Sequence, residues 1–92
     1  MIVRVLGEGQ LEVPDHFAAE LNELDAVLEA AVADGDEVAF TRALADLVGR
    51  VQAVGTPLPD HMVLPSEAIL PPPESTIAQV RVLLGDDGLI PG

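Results

Sequence analysis

The sequence contains no cysteine, lysine, tryptophan or tyrosine. Without cysteine there is no disulfide, no thiolate nucleophile and no cysteine-based zinc site. Without lysine, the cations are Arg4, Arg42, Arg50 and Arg81, set against 16 acids for a formal net charge of −12. Direct nucleic-acid binding needs clustered Lys and Arg, so nucleic acid is excluded as a partner. Docking on an anionic membrane surface is disfavoured on the same ground. Phe17 and Phe40 are the only aromatics, which leaves little material for a base- or sugar-stacking platform. No apolar run approaches the ~18 residues of a membrane span. The opening MIVRVL is too short for a signal h-region, and a cytoplasmic protein is expected.

What is present is a globular composition: 92 residues, 49% hydrophobic and 22% charged. One domain over residues 1–92 is expected, with a core of Leu, Val, Ile and Ala. Residues 2–13, IVRVLGEGQLEV, read as a β-hairpin turning at Gly7-Glu8-Gly9, with Gly9 in the left-handed region. That register pairs Val5 with Leu11, Val3 with Val13 and Arg4 with Glu12. Val3, Val5, Leu11 and Val13 then share the core face. Ile2 and Leu6 flank Arg4 on the other face, which is half apolar and invites a cover.

Residues 16–54 read as an antiparallel αα-hairpin. Asp15 is the expected N-cap of the first helix, and Phe17, Leu21, Leu24, Leu28 and Ala31 form its apolar stripe. Gly35 stops that helix and Asp36 caps the second, over about 37–54. The second stripe is Phe40, Leu44, Leu47, Val51 and Val54, and Arg50 is placed to pair with Asp46 four residues earlier. Residues 55–73 hold six prolines, a density that no long helix survives. Leu58, Met62, Val63, Leu64, Ile69 and Leu70 make this segment too apolar for a solvated linker. It reads as an extended strap held down by those side chains, with recognition by an aromatic groove as the alternative. Residues 76–92 read as a third helix and a tail: Thr76 and Gln79 form a capping box, Ile77, Val80, Leu83 and Leu84 the buried stripe, and Gly85 the stop. The fold class is therefore α+β, with Leu89-Ile90 of the tail as a candidate third strand beside the hairpin.

Chemistry is hard to find in this chain. His16 and His61 each follow an Asp, but a metal site needs three or four converging ligands, and two solvated histidines are the simpler reading. Gly7-Glu8-Gly9 lacks the GK[ST] of a phosphate loop and opens no helix. Asp86-Asp87-Gly88 lacks the remaining ligands of a calcium loop. No Ser/His/Asp spacing marks a nucleophile, so no enzyme, metal or cofactor is expected.

The ends of the chain carry a resemblance. The start, Met1-Ile-Val-Arg-Val-Leu-Gly-Glu-Gly-Gln10, resembles the N-terminus of the PspA-associated protein family, PspAA. Ile69-Leu-Pro-Pro-Pro73, the Thr76-to-Leu84 helix and Gly85-Asp-Asp-Gly-Leu-Ile-Pro-Gly92 resemble that family's C-terminal part. Leu21-Asn-Glu-Leu-Asp25 and Gly35-Asp-Glu-Val-Ala-Phe40 sit at the expected places between them. The resemblance spans essentially the whole chain. It implies a non-catalytic accessory or regulatory partner of PspA, the coiled-coil membrane-remodelling protein of phage-shock-type envelope stress systems. With a net charge of −12, membrane contact is expected only through that partner. It brings no catalytic residues to carry over.

The candidate partner-binding residues are Ile2 and Leu6 on the half-apolar hairpin face and Leu89 and Ile90 in the tail. A self-associating module, pairing through Ile2 and Leu6 as a homodimer, is the second reading. A metal protein built on His16 and His61 is the third. If the tail completes the core, deleting residues 89–92 will lower the melting temperature; an unchanged melting temperature would make the tail a docking peptide instead.

Overall fold

The computed structural model describes residues 1–81. The hairpin forms as β1 (Ile2–Val5) and β2 (Gly9–Glu12). Its register differs from the expectation by two residues: Val5 pairs with Gly9, Arg4 with Gln10, Val3 with Leu11 and Ile2 with Glu12. The turn closes one step earlier, with the Glu8 amide donating to the Val5 carbonyl at 2.9 Å. This puts Gly7, at φ 87°, third in the turn, where a type II geometry requires positive φ. Gly9 also has positive φ. A slip of two residues preserves which side chains share a face, whereas a slip of one would invert it. Val3, Val5, Leu11 and Val13 therefore still line the core. The expected Arg4–Glu12 pair is lost, because Gln10 stands opposite Arg4 and Glu12 opposite Ile2.

The helical hairpin follows the sequence closely. A 3-10 turn, Asp15–Phe17, leads into α1 (Ala18–Asp34), and α2 runs Glu37–Val54. Gly35 caps α1 in the left-handed conformation at φ 67°, a geometry that glycine adopts without the Cβ penalty. The Asp36 carboxylate accepts from the Ala39 amide at 3.1 Å and caps α2. Asp15 caps nothing. The chain enters α1 through the 3-10 turn, and the Asp15 carboxylate accepts from the N-terminal ammonium of Met1 at 3.1 Å.

Leu21, Leu28, Ala31, Phe40, Leu44, Leu47 and Val51 are buried as their stripes require, while Phe17, Leu24 and Val54 are half-buried at the margin. Arg50 does not pair with Asp46. It crosses to α1 and donates from Nε and Nη2 to the two oxygens of Glu20, with its guanidinium 5.5 Å from the Phe17 ring centroid. Two hydrogen bonds in the planar fork of a guanidinium fit a carboxylate better than a single intrahelical contact does.

The larger departure is the sheet. Among the described residues four strands lie in the order β3-β2-β1-β4, with β3 (Thr56–Pro57) antiparallel to β2 and β4 (Ala68–Leu70) parallel to β1. The strand beside β1 thus comes from the proline-rich segment. β1 therefore has a neighbour on each side. Ala68 and Leu70 join the core. A fully buried Leu contributes roughly 1.5–3 kcal/mol, so Leu70 anchors β4 by packing as well as by its ladder bonds. Thr76 and Gln79 form the expected capping box at the start of α3 (Ile77–Val80), whose Ile77 and Val80 are buried in the same cluster. Leu83, Leu84, Gly85 and the tail with Leu89 and Ile90 lie outside the described residues.

The Arg50 hydrogen bond, together with its charge and against the cost of desolvation, holds the Glu20 carboxyl below its ordinary value. A carboxylate with a lowered folded pKa stabilises the fold above its unfolded pKa and loses that contribution as pH falls through the folded value. An NMR titration should therefore find Glu20 ionising below the usual glutamate range, and Arg50→Gln should raise its midpoint. A midpoint unmoved by the substitution would contradict the pairing.

Candidate functional site

Residues 58–67 must travel from β3 at one edge of the sheet to β4 at the other. Three strand spacings of ~4.8 Å separate the edges, well within the reach of ten residues. The core face is filled by α1 and α2, and the segment crosses the opposite, outer face. The molecule is thus layered as helices, sheet and strap.

Gln10 fastens the strap. It sits on the outer face opposite Arg4 and is 7% exposed. Its Nε2 donates to the Leu64 carbonyl and to Ser66 Oγ at 2.8 Å, while its Oε1 accepts from the Leu64 amide at 3.1 Å. The side-chain amide therefore engages Leu64 in both directions, much as a neighbouring peptide group would. The Gln10 carbonyl also accepts from the Leu58 amide at 2.9 Å. At the far side the Glu67 amide donates to the Ile2 carbonyl at 2.8 Å, and the Leu6 amide donates to the Leu70 carbonyl at 2.9 Å.

The strap is therefore held by backbone bonds, by one buried glutamine and by Leu70 and Leu58, while its other expected anchors stay exposed. Leu70 is buried and Leu58 half-buried, but Met62 is 43%, Val63 74%, Leu64 37% and Ile69 43% exposed. Gln10 was missed as a site residue. Its signal in the sequence is slight: a polar residue on a strand face that has apolar neighbours and a long apolar loop available to cover it.

Ile2 and Leu6 lie where expected, on the outer face flanking Arg4, and both are half-buried. Leu6 lines a small cavity with Pro72 and Pro73. Arg4 lines another, of about 110 Å³, with Gln10, Asp60, Met62 and Val63. The strap is the cover that the half-apolar face invited. Leu89 and Ile90 fall outside the described residues. His16 and His61 are both exposed, and His16 rests against the Phe17 ring with centroids 4.2 Å apart. Among the described residues no three His, Cys, Asp or Glu side chains gather as a metal-binding group, and no helix is long and apolar enough to cross a membrane.

Fold and surface together define a small acidic α+β domain whose most unusual face is an apolar strap. The chain belongs to the PspA-associated protein family, PspAA, whose model matches residues 1–92, the whole chain. No curated protein and no solved structure matches it.

Gln10→Ala should cost about 1–3 kcal/mol, the scale of leaving partly buried partners unsatisfied. It should also speed proteolytic cleavage within residues 58–66 more than cleavage within α1 or α2. Uniform sensitivity along the chain would mean that Gln10 does not hold the strap in particular.

Proposed function

We propose that this chain is a non-catalytic accessory protein of a phage-shock-type envelope stress response and acts by binding a PspA-like protein. The observation that carries the reading is the family match over all 92 residues. The physical properties agree with it. A net charge of −12 opposes direct attachment to an anionic bilayer, so recruitment from the cytoplasm to the membrane runs through the partner. The same charge favours a partner with basic stretches, whose encounter it accelerates and whose register it helps to set.

The acidity also bears on self-association through Ile2 and Leu6. The strap crosses the face that such pairing would use, and like charges would meet across the two-fold axis. A PspA complex is the reading that the charge favours.

Titration of the protein against PspA from the same cell tests this. Binding should be detectable at low ionic strength. It should weaken as salt rises from about 0.1 M toward about 1 M, over which the Debye length falls from ~10 Å to ~3 Å. Absence of binding at low salt, with both proteins folded, would overturn the proposal.

A further inference from the structure

Met62, Val63 and Leu64 are three consecutive exposed apolar residues. Such a run is unfavourable in water unless something covers it in use. The run is also held in one conformation. Pro59 and Pro65 bracket it, and the Gln10 side chain grips the backbone of Leu64 from below. Ordering before association reduces the entropy lost on binding.

The surrounding face gives the run a centre and a rim. Met62 and Val63 share a cavity lining with Arg4, and Arg4 pairs in register with Ile69 on one side and Gln10 on the other. Around this apolar centre stand the exposed carboxylates of Glu12, Asp60 and Glu67. Arg4 is the one cation among these residues.

We infer that this strap face is the docking surface for the protein partner, and that the partner presents an apolar stripe flanked by Lys or Arg. The inference rests on the PspA-binding reading and adds to it the surface and the chemistry of the contact. Charge selects the occupant. A second copy of this chain would bring acids against acids, and an anionic bilayer would do the same. A stripe with basic flanks places apolar surface on Met62, Val63 and Ile69 and cations against the carboxylate rim.

The test uses two substitutions matched in exposure. Val63 on the strap is 74% exposed and Val38 on α2 is 72% exposed, so Val63→Lys and Val38→Lys should both leave the fold intact. Circular dichroism and melting curves check that they do. Titrated against PspA, Val63→Lys should weaken binding at least tenfold and Val38→Lys by less than twofold. Equal effects, or a larger effect at Val38, would overturn the assignment of the surface while leaving the PspA-binding reading standing. A wild-type protein that does not bind PspA would overturn that reading first. Two controls address the other occupants. Sedimentation of the wild-type protein with phosphatidylglycerol vesicles in the absence of PspA would overturn the inference in favour of a membrane. A wild-type dimer dissolved by Val63→Lys would overturn it in favour of a second copy.

Discussion

The structure depends on the placement of β1 between two neighbours that both follow it in the chain, one near and one distant. β2 follows it immediately through a tight turn, and β4 arrives after two helices and a strap. Because β3 has meanwhile paired with β2, the chain must pass from one edge of the sheet to the other to reach β4. The core face is already committed to α1 and α2, whose buried stripes share one cluster with Val3, Val5, Leu11 and Val13. The outer face is the remaining route. An apolar, proline-rich segment is thereby stretched across a surface that is only half apolar itself.

Backbone bonding at both ends and Gln10 in the middle turn that crossing into a defined layer. A buried side-chain amide left unpaired would cost on the order of 1–3 kcal/mol, so Gln10 favours the one strap position that satisfies it. With the Leu64 backbone turned down onto the sheet, the strap's apolar side chains are left exposed. The fold thus explains an apolar display that would otherwise be a solubility fault. On the hairpin's outer face, Arg4 and Gln10 lie beneath a strap whose upper surface is Met62, Val63 and Leu64, and the half-buried Ile2 and Leu6 flank Arg4.

Much of this was legible from local pattern. The stripes of both helices, the Asp36 cap, the Gly35 stop and the Thr76–Gln79 capping box depend on residues a few positions apart, and the structure contains them. The core face of the hairpin was legible for a related reason, since alternation fixes parity. Alternation does not fix register, and the two-residue slip that separates Arg4 from Glu12 is invisible to it. What failed was non-local. Arg50 had an acid one turn away in Asp46, yet the better geometry lay across the interhelical gap at Glu20. Ala68–Leu70 sits amid prolines and looks unlike a strand, yet it pairs with β1, while Leu89 and Ile90 lie outside the described residues. Apolar residues usually bury themselves, and Leu70 and in part Leu58 do so, but Met62, Val63, Leu64 and Ile69 stay exposed. Nothing in their own spacing reveals that a glutamine fifty-four positions earlier does the holding.

Display of this strap to a protein partner is open to direct measurement. Hydrogen–deuterium exchange of the protein alone and with saturating PspA addresses it most directly. Added protection should concentrate in residues 58–70 and the β1–β2 hairpin, with the solvent face of α2 unchanged. Protection concentrated on α1 and α2, with residues 58–70 exchanging as in the free protein, would contradict it.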